Sequence, residues 1–215
     1  MQEGRTIFIW DIHWCYKEFK LLLNKINLKE EDKVYLTWDL INKWPKSYKV
    51  IKYIYKNQDQ FKVVLWNNEL NFLNWLNNWV FINNTIEYKK LKDKLKNKEN
   101  ILNFLKNIPL YIENDNFLLI HAGLIPWKEL KSHSPREITS IREYDNKPWY
   151  EYYTWNKKII YGHRWLDGLR IRKNTIGLDT GCVYGSRLTA YILETWEIIQ
   201  QSAQNIYINV YKNEN

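Results

Sequence analysis

Six side chains able to bind a divalent cation fall in five short segments of the 215-residue chain. Asp11 and His13 stand two apart in WDIHWC, Asp39 lies in WDLINKWP, Asn67 in WNNEL, His121 in HAGL and His163 in YGH. Carboxylate and amide oxygens mixed with imidazole nitrogens suit Mn, Fe or Zn. Three of the four histidines belong to this set. A lone histidine after an apolar run is more often a hydrogen-bonded structural residue than a ligand, but donors in five such segments in succession point to a metal centre. The fourth, His133, lies in the polar stretch LKSHSPRE and is expected to be a bystander.

Hydrophobic periodicity shows which elements must carry these residues. Strands are expected at 6–9, 34–37 and 62–65, alternating with amphipathic helices at 16–25, 47–56 and 69–77. This βαβαβ order predicts a parallel sheet, with functional residues just beyond the carboxyl ends of its strands. Further strands are expected at 117–120, 158–161, 175–178, 188–193 and 207–211, the last ones antiparallel. The lysine-rich stretch YKKLKDKLKNKEN, residues 88–100, is expected to be a solvated surface helix. There is no internal repeat or linker, so residues 1–215 are expected to form a single domain.

Composition narrows the setting. With 45% hydrophobic and 26% charged residues, the chain is of the soluble globular class and long enough to bury a core. No apolar run approaches the roughly 20 residues needed to cross a bilayer, and no signal-peptide pattern opens the chain. Two cysteines, Cys15 and Cys182, are too few for a disulfide framework, so a cytoplasmic location is expected. A net charge of +8 favours anionic partners. The surplus of Lys, Asn, Ile and Tyr is, however, what AT-rich codons generate, so neither specific nucleic-acid binding nor a membrane partner is expected. Tryptophan outnumbers glycine by 12 to 7, leaving glycine at about 3% against the usual ~7%.

In order and spacing, the motifs from Ile7 to about Ile198 resemble the calcineurin-like metallophosphoesterases of the phosphoprotein-phosphatase type, whose loops read GDxHG, GDxxxRG, GNHE, HAG or HGG, and GH. LTWDLINKWPKS and LDTGCVYGSRLTAYILETWEI resemble the branch holding bacterial symmetrical diadenosine tetraphosphate hydrolases and small bacterial serine/threonine phosphatases. The resemblance implies an α/β fold, a two-sheet sandwich flanked by helices, with two divalent metal ions, Mn foremost and Fe or Zn otherwise. It implies that Asp11 and His13 hold one ion, that Asn67, His121 and His163 hold the other, and that Asp39 bridges them. Lys43 and Arg142 match the family's phosphate-binding arginines; Lys43 keeps the charge but loses the bidentate fork. Arg164, next to His163, is compatible with substrate contact or with a surface role. Cys15 and Cys182 match positions read as packing residues.

The resemblance also bears on substrate. Asn68 occupies the position of the histidine that protonates the leaving oxygen, and Asn42 that of its supporting aspartate. An amide donates a hydrogen bond but transfers no proton, and the loss hurts poor leaving groups most. A nucleotide phosphate leaves an anhydride as a stable anion, so a dinucleoside polyphosphate is favoured over a serine or threonine phosphoprotein.

Eight tryptophans stand where the family carries glycine: Trp10, Trp14, Trp38, Trp44, Trp66, Trp127, Trp155 and Trp196. Loops packed around two cations need positive φ and close backbone approach, which an indole obstructs. UGA encodes glycine in a few bacterial lineages and tryptophan in others, so one mistranslated codon accounts for all eight. Returning them to glycine about doubles the glycine content, to the usual ~7%. Trp149 in KPWYEYY fits the family as a true tryptophan; Trp75, Trp79 and Trp165 are left open. Genuine tryptophans would instead imply an inactive relative gripping anions with a basic aromatic surface.

Overall fold

The computed structural model describes residues 4–13, 15–37, 47–77 and 85–209; Trp14, Trp38, Asp39, Asn42, Lys43, Trp44 and Trp79 lie outside the described residues. The first half runs β1 (Thr6–Ile9), α1 (Tyr16–Ile26), β2 (Lys33–Thr37), α2 (Ser47–Lys56), β3 (Phe61–Val64), α3 (Asn67–Leu76), α4 (Thr85–Leu95) and α5 (Glu99–Lys106). There follow β4 (Tyr111–Glu113), β5 (Phe117–Ile120), α6 (Pro135–Ser140), β6 (Glu143–Tyr144), β7 (Lys147–Pro148), β8 (Lys158–Tyr161), β9 (Arg170–Ile171), β10 (Thr175–Gly177), β11 (Arg187–Ile192) and β12 (Ile198–Ser202).

Two five-stranded sheets result. One has the order β12-β11-β1-β2-β3, with β1 to β3 parallel and β11 and β12 antiparallel. The other is β4-β5-β8-β10-β9, with β5, β8 and β10 parallel between antiparallel edges. Side-chain alternation sorts β1 between two cores. Ile7 and Ile9 join Phe19 and Leu22 of α1 and Val50 and Ile54 of α2. Phe8 points the other way, meeting Phe117 of the second sheet edge-on at 4.8 Å and stacking on Tyr35 at 5.4 Å. The sheets therefore pack face to face with helices outside, the sandwich implied by the resemblance.

Two expectations are corrected. The strand expected at 207–211 is absent over 207–209, and β12 takes that edge instead; residues 210 and 211 lie outside the described residues. The Tyr207 hydroxyl donates to Glu18 Oε1 of α1 at 2.8 Å, which binds this segment to a helix and not to a sheet. The lysine-rich helix ends at Leu95, and α5 begins only at Glu99. Nor is α4 merely solvated, because Tyr88, Leu91 and Leu95 recur at helical spacing and are buried. The density of lysines masks that apolar face.

Parallel strands bring their carboxyl ends to one side of each sheet, and the loops bearing the candidate donors start there. The Gly162 N–H donates to the His121 carbonyl at 2.9 Å, joining the loops after β8 and β5.

Candidate metal centre

Three candidate ligands are held in left-handed backbone: Asp11 at φ 46°, His13 at φ 44° and His163 at φ 64°. Asp and His tolerate this region better than most residues, and such conformations persist where the surrounding structure over-determines them, often at functional sites. The turn after β1 is closed by the Cys15 N–H donating to the Ile12 carbonyl at 2.8 Å. Cys15 and Cys182 are both buried and in no disulfide, as expected of packing residues.

His121 Nε2 lies 2.9 Å from His163 Nδ1, with the rings 4.7 Å apart. Burial pushes the His121 imidazole well below its ordinary pKa, helped by the positive fields of His163, His13 and Arg142. Burial likewise lowers His163 to about 3, with Arg142 and His13 contributing. Both rings are therefore neutral near pH 7, the state in which imidazole binds a metal. His121 Nδ1 and Asn67 Oδ1 are buried with no hydrogen-bond partner. Leaving a buried polar atom unsatisfied costs about 1–3 kcal/mol; a cation would satisfy both. Arg142 is exposed, with its charge felt at both imidazoles. Asn68 is buried in the first turn of α3.

One residue breaks the arrangement. The fully buried Trp66 indole lies 4.3 Å from the His121 ring and nearly parallel to His13 at 6.5 Å, while its Nε1 donates to Glu69 Oε2 at 2.6 Å. Among the described residues no three His, Cys, Asp or Glu side chains gather around one point; Asp39 lies outside them and Asn67 is an amide. The donor chemistry fits divalent cations, and the indole occupies space beside two of the candidate ligands.

Other tryptophans at expected glycine positions show related signs. Trp10 is buried, its N–H has no hydrogen-bond partner, and it lies so close on Gly162 that a Cβ there would overlap the indole. A buried tryptophan normally finds a partner for that N–H. Trp127 and Trp196 sit at φ 61° and φ 60° and are 70% and 73% exposed. Trp155 is exposed as well, but it is not at positive φ. Trp149, read as a true tryptophan, is buried, and its Nε1 donates to the Ala122 carbonyl at 3.0 Å.

His133 is no ligand, yet it is more than a bystander. Its buried ring accepts from the Ile125 N–H at 2.9 Å and lies 2.9 Å from the Glu129 carbonyl, pinning the loop that follows His121. Arg164 is bound to Glu143 at 2.7 Å and Asp167 at 2.8 Å, a structural role. Asp179, not singled out in the sequence, is a buried carboxylate just past β10 that accepts from the Gly181 N–H at 3.2 Å. Its strand-end position was the available signal.

The calcineurin-like phosphoesterase family matches residues 4–198. The chain belongs to that family. As a calcineurin-like phosphoesterase it is a metal-dependent phosphohydrolase. A symmetrical bis(5'-nucleosyl)-tetraphosphatase of Vibrio parahaemolyticus is 26% identical over 92% of this chain and 98% of its own length. An asymmetrical bis(5'-nucleosyl)-tetraphosphatase of Oceanobacillus iheyensis is 28% identical over 93% of each chain. A zinc-dependent endopolyphosphatase of Saccharomyces cerevisiae is 30% identical over 86% of this phosphoesterase and 74% of its own length. A crystal structure assigned as a diadenosine tetraphosphatase superposes with a TM-score of 0.75 at 26% identity, covering 94% of this chain and 95% of its own.

Proposed function

We infer that this phosphoesterase hydrolyses the phosphoanhydride of dinucleoside polyphosphates at a two-metal centre formed by Asp11, His13, Asp39, Asn67, His121 and His163, the polypeptide carrying glycine at the eight tryptophan positions. The observation that carries this reading is the meeting of neutral His121 and His163 at 2.9 Å, with the ring of Trp66, a residue expected to be glycine, 4.3 Å from His121. The whole chain, residues 1–215, acts as one domain. Two buried cysteines with no disulfide between them accord with a cytoplasmic location; the source on this reading is a bacterium that translates UGA as glycine.

Bound cations supply Lewis acidity to the phosphoryl oxygens and lower the pKa of an attacking water. The protein does the rest. Its neutral imidazoles and the Asn67 oxygen offer lone pairs, Arg142 presents a guanidinium to the charge growing on the phosphoryl group, and Lys43 adds a second positive charge. Asn68 donates a hydrogen bond to the leaving oxygen without protonating it. That suffices when the leaving group is a nucleotide phosphate, and the names of two relatives point to the same substrate class. Manganese is the preferred ion; the zinc dependence named for the yeast relative makes zinc the comparison.

The second reading, an inactive anion-binding relative, is favoured by Trp66 itself if that residue is genuine. The gene separates the two: UGA codons at the eight positions support the enzyme, and UGG at position 66 supports the inactive protein. With glycine at all eight, the protein should bind two Mn²⁺ by mass spectrometry and split diadenosine tetraphosphate, and Asp39→Ala should lose metal and activity together. Full metal content in the Asp39 variant would show that the bridge is misassigned.

A further inference from the structure

An aromatic corner adjoins the metal centre. Tyr144 and Tyr152 meet edge to face, ring centroids 5.7 Å apart and planes at 86°. Neither ring belongs to either hydrophobic core, and Tyr144 is 37% exposed. The corner sits on a tight hairpin: the β6–β7 turn at Asp145 and Asn146 is left-handed at φ 47° and 58°, and the Tyr152 hydroxyl makes a long contact of 3.5 Å to the Asp145 carbonyl.

Three connections tie this corner to the chemistry. The Trp149 N–H donates to the Arg142 carbonyl at 3.2 Å, extending by one pair the register in which Glu143 faces Pro148 and Tyr144 faces Lys147. Arg142, one residue before β6, thus continues its pairing and lies two residues from Tyr144 on the same face, about 6–7 Å away. Arg164, next to His163, holds the same hairpin through Glu143 at 2.7 Å. The loop that begins at His121 runs through position 127, whose ring lies 6.1 Å from Tyr144 and 5.9 Å from Tyr152. The corner does not depend on that ring, because the tyrosines meet directly; glycine at 127 uncovers both.

We propose that Tyr144 and Tyr152 form the nucleobase subsite, a purine stacking in their corner while its phosphates run along Arg142 into the metal centre. The inference rests on the dinucleoside polyphosphate reading and deepens it. The Arg142–Tyr144 spacing is of the order of the separation between a nucleotide's phosphate and its base. Stacking tolerates any purine, so the corner selects nucleoside polyphosphates over inorganic polyphosphate rather than one base over another.

The test uses the glycine-restored, manganese-loaded protein and its Tyr144→Ala, Tyr152→Ala and Tyr144→Phe variants. Each is assayed on diadenosine tetraphosphate and inorganic tripolyphosphate, and titrated calorimetrically with ADP and pyrophosphate. Tyr144→Ala and Tyr152→Ala should each lower the ratio of kcat/KM for the dinucleotide over tripolyphosphate about tenfold, chiefly through KM, with a matching fall in the ADP-to-pyrophosphate affinity ratio. Tyr144→Phe, which keeps the ring, should keep both ratios. A parent preference for the dinucleotide that survives both alanine variants overturns the subsite alone. A parent protein with no such preference overturns the functional reading and the subsite together.

Discussion

Asn68, buried in the first turn of α3 two residues after Trp66, bears most directly on substrate. Its amide cannot deliver a proton, so Asn68→His in the glycine-restored protein should raise turnover of an alkyl phosphate about tenfold while leaving diadenosine tetraphosphate nearly unchanged. The difference follows from leaving-group basicity: a proton donor helps only where charge on the departing oxygen is costly. Adding Asn42→Asp behind the new histidine should enlarge the gain. Equal effects on both substrates, measured side by side, would remove leaving-group protonation as the basis of preference. At this scale the candidate donors were legible because Asp, His and Asn after apolar runs are a local signal. Trp66 was legible only as a departure from a pattern; its contact with His121 at 4.3 Å is a tertiary fact.

In the turn joining β11 to β12, Trp196 sits at φ 60°, with the Lys158 ammonium 5.0 Å from its ring. A left-handed backbone costs a residue with a Cβ roughly 1–2 kcal/mol, a cost glycine escapes. Trp196→Gly should therefore be more stable than Trp196→Ala by about 1 kcal/mol in urea unfolding, both variants lacking the indole equally. The reverse order, usual where φ is ordinary, would show that position 196 makes no demand for glycine. Element boundaries were read well where a strand or helix has one clear period: α2 and β5 fall where periodicity places them. The short helix α6 was missed although Ser134, Pro135 and Glu137 form a capping box, Ser134 N–H donating to Glu137 Oε2 at 2.6 Å. The hairpin β6–β7 was missed because two-residue strands carry no periodic signal.

The packing of the two sheets sets buried His121 against the partly buried His163, and this has a consequence for stability of the whole molecule. In the metal-free protein the folded pKa of His163, about 3, lies below the ordinary unfolded value near 6.5, and His121 is shifted in the same direction. Between those values the unfolded chain binds more protons than the folded one, so stability rises with pH across the window. It is full above about pH 6.5 and declines progressively as pH falls toward 3, by up to about 1.4 kcal/mol per pH unit for each histidine. Urea midpoints taken in EDTA from pH 7 to pH 5 should fall accordingly, and His163→Gln should flatten the decline. A midpoint constant over that range would mean the imidazoles are not buried as neutral groups.

Sequence alone determined the alternation of strands and helices, the placement of metal-competent residues at strand ends, and the anomaly of tryptophan where glycine is expected, because each is written in neighbours along the chain. What the tryptophan meets differs by position, and tertiary structure decided it: a close approach to Gly162 at Trp10, a contact with His121 at Trp66, and a positive φ at Trp127 and Trp196. The same holds for the pairing of His121 with His163, 42 residues apart, and for the corner formed by Tyr144 and Tyr152. Periodicity fixes which way a side chain faces along its own element, whereas distances between elements are set only when the two sheets pack through Phe8 and Phe117.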